Sequence, residues 1–217
     1  ELKFDGFAIG IQYKEGKFHR AITRGDGVKG DDVSVNVKTI KSIPLQLKGD
    51  YPDEFEIRGE VFMHRAAFER MNREREREGL PMFANPRNSA AGTIKMQESA
   101  EVAKRPLDCF LYQVLSEEND LRLHYESLQK AKSWGFPVSP YLRKCQNLEE
   151  VMQFITEWDK KRHDLSFDID GVVIKLNSYD QREELGFTAK TPRWAIAYKF
   201  KAEAAVTVLN SVTYQVG

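Results

Sequence analysis

The chain has 217 residues, of which 41% are hydrophobic and 30% charged, the balance of an ordinary globular protein with one sizeable core. Lysine plus arginine total 33 and aspartate plus glutamate total 33, so the net charge is zero, which argues against a clamp that holds nucleic acid by bulk charge alone. Cys109 and Cys145 lack companions at zinc-ligand spacing, no run approaches the ~18 apolar residues of a membrane span, and no signal peptide is expected. The expectation is a cytoplasmic protein with free thiols and no membrane partner. The chain opens at Glu1, directly in a strand-like motif, as expected for a piece of a larger protein.

In chain order, Ala8 to Tyr13 and Phe18 to Thr23 are rich in strand formers and are joined by the turn-like Lys14-Glu15-Gly16-Lys17, which predicts a hairpin. Asp31 and Asp32 are placed to cap a short helix running toward Ile40. Phe55 to Met63 reads as a strand. Arg65 to Glu78 reads as a helix ended by Gly79, and its run of alternating charges reads as a solvated face. Asn88 to Lys95 predicts a short helix and Leu107 to Leu115 a buried strand. Helices are expected at Tyr125 to Trp134 and at Leu148 to Lys161, the latter capped by Asn147. Strands return at Gly171 to Leu176, Trp194 to Phe200 and Ala205 to Val216, the last on its polar–apolar alternation. Strands and helices mix without a steady β-α-β rhythm, so the fold class is α+β with largely antiparallel sheets.

Several motifs carry chemistry. Lys3-Phe4-Asp5-Gly6 alone is weak, since three fixed residues recur by chance about once in ~8,000 positions. The plain reading is a lysine on a sheet edge beside a tight turn. Gly25-Asp26-Gly27-Val28-Lys29-Gly30 fits G-x-G-x-x-G, but the acidic residue expected about 20 positions later falls on Asp50 in a loop. The glycines therefore read as a loop after the hairpin with Arg24 at its mouth, not as a Rossmann fingerprint. Asp170 and Lys175 share one apolar strand at a separation that puts them on opposite faces if the strand is regular. One then faces the pocket, and the other works through an edge, a metal or a bulge. Lys199 ends another apolar strand. A single such lysine snorkels to solvent; two of them with Lys3 point to an anion. Glu60 pairs with Arg58 or accepts from ribose hydroxyls, and Arg87 offers phosphate a two-pronged contact or braces its loop. His19, His64, His124 and His163 have no partners at motif spacing and read as structural.

Taken together, these residues resemble the nucleotidyltransferase (adenylation) domain of bacterial NAD-dependent DNA ligases. The likeness runs from Glu1 to Gly217, through Glu1 to Gly6, Thr23 to Gly27, Arg58 to Phe62, Phe83 to Gly92, Ser133 to Pro140, Ile169 to Asn177, Glu184 to Thr188 and Pro192 to Phe200. The segments around Phe83 and Trp134 set this group apart from ATP-dependent ligases and capping enzymes. The resemblance implies the nucleotidyltransferase fold of DNA ligases, with antiparallel sheets flanked by helices around a nucleotide cleft, spanning residues 1–217.

It also implies that Lys3 takes AMP from NAD as a phosphoramidate and expels nicotinamide mononucleotide. Glu1 would accept from the adenine amino group, Tyr112 would stack on the base, and Val172 would belong to the same pocket. Glu60 would bind ribose. Arg24, Lys175 and Lys199 would be the nucleotide-binding cations, with Arg87 and Lys95 as supporting phosphate or loop contacts. Asp170 would assist with magnesium or manganese. Cations that hold the phosphates would also favour the neutral, attacking form of the amine, because an ordinary lysine is an ammonium with a pKa near ~10.4. Lys95 stands where many relatives carry arginine, which removes a forked contact, and Leu2 stands for a common proline. By the same resemblance a nicotinamide-recognising region precedes Glu1, and an OB-fold, a zinc region and helix-hairpin-helix elements follow Gly217. Nicked duplex DNA and NAD would be the partners of a monomeric full-length enzyme. The alternatives are an ATP-using RNA ligase or capping transferase, a non-catalytic nucleic-acid-binding domain and a Rossmann oxidoreductase.

Overall fold

Alternation with a period of two builds the framework on which the rest packs. In the computed structural model, which describes residues 1–25, 29–116, 121–189, 191–201 and 206–214, the chain begins with β1 (Leu2–Phe4), β2 (Phe7–Lys14) and β3 (Lys17–Thr23). The β2–β3 turn places Glu15 at φ 48° and Gly16 at φ 71°. Two left-handed residues in a row are what a tight hairpin with the strands' own twist requires. A side chain at Gly16 would also strike the Tyr51 ring, 2.3 Å from the position of its Cβ.

β4 (Glu54–Met63) and β5 (Leu107–Leu115) complete a four-stranded antiparallel sheet in the order β3-β2-β4-β5. Ile11 pairs with Ala21 on one side and with Ile57 on the other, and all three are fully buried. Their face packs against α1 (Ser34–Val37), α5 (His124–Ser133) and the rings of Trp134 and Phe136. Each such aliphatic side chain withdrawn from water contributes about 1.5–3 kcal/mol before entropy is counted. β6 (Ile169–Lys175) and β7 (Ala195–Lys199) join β1 in a second antiparallel sheet of order β1-β6-β7. Leu2, Phe4, Ile169 and Val172 form its buried face, packed with Phe62 of β4 and with Phe154 and Ile155 of α6 (Leu148–Lys161). This second core fastens the two sheets together.

α2 (Arg65–Arg77) and α3 (Pro86–Ile94) cover a smaller cluster of Met63, Ala67, Met71 and Ala90. Asn85 caps α3 by accepting from the Asn88 amide, with Pro86 at the first helical position, and Asn147 caps α6 by accepting from the Glu150 amide. Gly79 follows α2 at φ 69°. The expected α+β class with antiparallel sheets flanked by helices is therefore present, and most element boundaries agree to within two residues.

Three differences stand out. The helix expected from Asp32 toward Ile40 is the single turn α1; Asp32 accepts from the Ser34 amide at 2.9 Å. Two short helices, α4 (Ser99–Lys104) and α7 (Tyr179–Leu185), have too few apolar positions to announce themselves. Residues 206–214 form no strand: Val206, Val208, Leu209, Val212 and Tyr214 lie exposed. Alternation makes a strand only where a neighbouring edge accepts it. Ala205 and residues 215–217 lie outside the described residues, as do Asp26, Gly27 and Val28 of the glycine-rich loop. Among the described residues no helix is long and apolar enough to cross a membrane.

Candidate active site

Strand alternation sorts β1 into two faces. Leu2 and Phe4 enter the core, while Glu1 and Lys3 line a cleft of about 760 Å³ at the junction of the two sheets. Arg24 and Gly25 after β3, Glu60 of β4, Arg87 of α3, Lys95, Tyr112 of β5 and Lys175 of β6 line the same cleft. The chain turns from β1 into β2 through Asp5-Gly6, and Gly6 has to be glycine: a Cβ there would lie 2.3 Å from the Val61 carbonyl oxygen and 2.8 Å from Glu60 Cγ.

Two irregularities in the ladders aim the remaining side chains. Between β1 and β6 the register runs Lys3↔Gly171 and then Phe4↔Ile169, so Asp170 has no partner in β1 and forms a bulge. Between β4 and β5 it runs Arg58↔Gln113 and then Gly59↔Leu111, which leaves Tyr112 as the extra residue. A bulge breaks the alternation and turns two consecutive side chains toward one face. Asp170 consequently reaches Lys3, and Tyr112 and Gln113 both line the cleft. The choice left open for Asp170 and Lys175 is thus resolved: Lys175 faces the cleft by regular alternation, and Asp170 arrives through a bulge.

Most of the charges in the cleft are paired. Lys3 Nζ lies 2.9 Å from the carboxylate oxygens of Asp170, and Lys199 Nζ lies 3.6 Å from Asp170 Oδ2. Lys175 Nζ lies 2.6 Å from Glu1 Oε2, donates to the Tyr112 carbonyl at 3.3 Å and sits 4.8 Å from the centre of the Tyr112 ring. Arg87 donates to Asp5 Oδ1 at 3.1 Å, and Lys95 lies 2.8 Å from Asp31. The expected arrangement, a cage of cations around Lys3, is corrected in one respect. The cations do converge on one hollow, but each of these is neutralised by a carboxylate, and the immediate partner of Lys3 is an anion.

Glu60 is half-buried, and desolvation pushes its carboxyl up to about 7 against the opposing pull of Lys3 and Arg87. The group therefore takes a proton more readily than an ordinary carboxylate and can then donate as well as accept. At Glu1, burial works to raise the carboxyl, but Lys175 and the hydrogen bond from His124 outweigh it, leaving the group ionised well below the usual carboxylate range. His124 is buried, and burial lowers its pKa against the pull of Glu1, so the ring is neutral and its Nε2–H donates to Glu1 Oε1 at 2.5 Å. Burial raises the Tyr112 hydroxyl, which stays protonated.

Of the residues anticipated from sequence, Lys3, Glu1, Arg24, Glu60, Tyr112, Lys175, Arg87 and Lys95 share the cleft; Asp170 joins it through its ion pair with Lys3, and Lys199 through its ion pair with Asp170. Val172 does not line it. At 2% exposure, on the Leu2 side of the sheet, it belongs to the core, and its neighbour Val173 lines the cleft instead, as period two dictates. His124, which has no partner at motif spacing, contacts a site residue, and only the fold brings the two together across 123 positions. Among the described residues no three carboxylate, histidine or cysteine side chains converge as a metal cage.

Comparison with known proteins agrees with this geometry. The family model of the NAD-dependent DNA ligase adenylation domain matches residues 1–203. The chain is 58% identical over its whole length to a DNA ligase of Bacteroides fragilis, 53% identical to one of Flavobacterium psychrophilum and 50% identical to one of Porphyromonas gingivalis. It spans about a third (33%) of the length of each of these curated relatives. With the matched motifs gathered in one cleft and the match covering nearly all of its residues, the chain belongs to the NAD-dependent DNA ligase adenylation domain family.

Proposed function

We propose that the chain carries out the adenylation step of a DNA ligase, in a nucleotidyltransferase fold occupying residues 1–217 of a longer protein. The observation that carries the reading is Lys3, held on β1 in one cleft with Glu60, Tyr112 and Lys175 and 2.9 Å from Asp170. NAD is the substrate. The Lys3 amine attacks the α-phosphorus, a P–N bond forms as the P–O bond to nicotinamide mononucleotide breaks, and the leaving group takes its bridging oxygen with it. The proton lost by the amine passes to Asp170. Tyr112 supplies the face on which adenine stacks, Glu1 accepts from its amino group, and Glu60 meets the ribose. Arg24 and Lys199 spread positive charge over the phosphates, with Arg87 and Lys95 in support, while Lys175 binds the nucleotide from its place beside Glu1 and Tyr112. In-line displacement at phosphorus needs this positioning and charge more than further covalent help.

Magnesium fits as an ion carried by the phosphates, because it keeps most of its ligands as water and phosphate oxygen and asks for one or two carboxylates. Asp170 is the carboxylate beside the reacting amine and would hold it. In a chain of the relatives' length, the bound AMP would pass to a 5′-phosphate at a nick in duplex DNA. Regions outside residues 1–217 would recognise the nicotinamide half and close on the DNA, in a monomeric cytoplasmic enzyme.

The test is to incubate the protein, extended by the region that precedes this segment in its relatives, with NAD and to weigh it. One AMP should add per chain, and Lys3→Ala should add none. A persistent adduct in the variant would remove Lys3 from its role, and labelling by ATP in place of NAD would favour a capping-type transferase.

A further inference from the structure

One buried histidine touches the cleft from behind and has no part in the chemistry above. His124 opens α5 with its side chain 7% exposed, and its Nε2 lies 2.5 Å from Glu1 Oε1 while Lys175 holds the other oxygen at 2.6 Å. Its Nδ1 faces the Tyr179 hydroxyl at 3.4 Å, and the two rings meet edge to face with centroids 6.2 Å apart. Each oxygen of Glu1 is therefore held by a group that donates to it. The backbone around His124 is pinned as well. Its amide donates to the Asn177 carbonyl at 2.8 Å, the Tyr125 amide donates to Asn177 Oδ1 at 2.8 Å, and Leu123 bridges Ser178. The ring cannot swing away without unstitching α5 from the segment that follows β6.

We infer that His124 is a positioning residue that fixes the Glu1 carboxylate as an acceptor and so sets the preference of the cleft for a purine bearing a 6-amino group. The inference rests on the proposed role of the cleft as an adenine nucleotide site. A carboxylate with both oxygens clamped by donors cannot rotate or take up a proton to suit its ligand. Adenine offers it an N–H. Hypoxanthine, identical in shape, offers a carbonyl oxygen and an N1–H in altered positions, so acceptor faces acceptor and neither is satisfied. A site built around a buried hydrogen-bonding group rejects such an analogue far more strongly than an apolar pocket rejects an extra methylene. Without His124, Glu1 keeps only Lys175, turns about its own side chain and can present a protonated oxygen to the carbonyl.

The experiment compares binding of NAD with binding of nicotinamide hypoxanthine dinucleotide by calorimetry, using the full chain with the region that precedes it in its relatives. The unaltered protein is expected to favour NAD by about 100-fold or more, in keeping with hydrogen-bond-based rejection. His124→Phe, which keeps the ring and removes the donor, is expected to bring the ratio within about tenfold, and His124→Gln, which returns a donor near the Nε2 position, to restore most of it. A merely structural histidine would weaken both ligands together and leave the ratio in place; that result from a folded His124→Phe protein overturns the inference. Should the phenylalanine variant not fold, His124→Met against His124→Gln gives the same comparison. If the unaltered protein binds neither dinucleotide, the failure lies with the adenine-site reading; if it binds NAD but the ratio ignores His124, only the positioning role fails.

Discussion

The two sheets are built alike and used differently. The four-stranded sheet sets Ile11 against Ile57 at full burial, packs one whole face on helices and aromatic rings, and gives its central strands no charged residue on that face. The three-stranded sheet buries one face only; the other carries Glu1, Lys3 and Lys175, with Asp170 turned in by the bulge. Its outer strand β7 leaves Ile196 66% and Tyr198 43% exposed. The larger core belongs to the four-stranded sheet, which lends Glu60 and Tyr112 to the cleft from its other side, while the attacking amine and the carboxylate beside it belong to the three-stranded sheet. The separation has a physical basis: side chains that must exchange partners with a substrate cannot also be locked into a core.

That division makes four measurements informative. Lys3→Ala should reduce AMP-adduct formation by about a thousandfold or more while shifting the unfolding midpoint by no more than the ~1 kcal/mol of a partly exposed ion pair. Ile57→Ala should do the reverse, costing about 2–5 kcal/mol in a denaturant titration while adduct formation per folded molecule stays constant. If that core change also slowed the chemistry, the two sheets would be coupled more tightly than their packing implies. Gly171→Ala sits on the boundary. The added Cβ would lie 2.0 Å from the Tyr198 carbonyl oxygen, so β7 must move away and take Lys199 with it. A loss of about 1–3 kcal/mol together with roughly tenfold slower adduct formation is expected, read from thermal unfolding and a single-turnover time course.

The smallest effect concerns pH. Folded Glu60 keeps its proton up to about 7, against a value of 4.5 for the free side chain. Between those values the folded state holds more protons than the unfolded one, so this carboxyl's contribution is greatest at low pH and declines as pH rises through about 7. Glu60→Gln should remove that slope from a plot of melting temperature against pH. An unchanged slope would mean that Glu60 titrates normally.

Much of this was legible in the residues. The hairpin turn, the strand Leu107–Leu115 and the helix Leu148–Lys161 follow from local turn chemistry, apolar runs and an asparagine cap, all of which act within a few positions. Lys3, Glu60, Arg24 and Lys175 are likewise readable because their motifs are short and contiguous. What escaped was non-local. A bulge is a mismatch between two strands, so neither Asp170 nor Tyr112 betrays its orientation in its own segment. The bond from His124 to Glu1 joins distant positions through the packing of α5 on the sheet. Val172 was misassigned for a simpler reason: within an apolar strand only the observed register decides which neighbour faces the cleft. The exposed stretch 206–214 shows the opposite error, in which a correct local pattern lacks a neighbouring edge to receive it.

The paired charges of the cleft make it behave as an ion exchanger. A polyphosphate that settles beside Arg87 or Lys95 has to evict Asp5 or Asp31, so entry trades one anion for another and the net gain is small. A lone inorganic anion has little to offer in such a trade, whereas a dinucleotide brings two bases and two sugars to tip it. Once the leaving group departs, the displaced carboxylates are waiting to retake their places, and their return helps to clear the site.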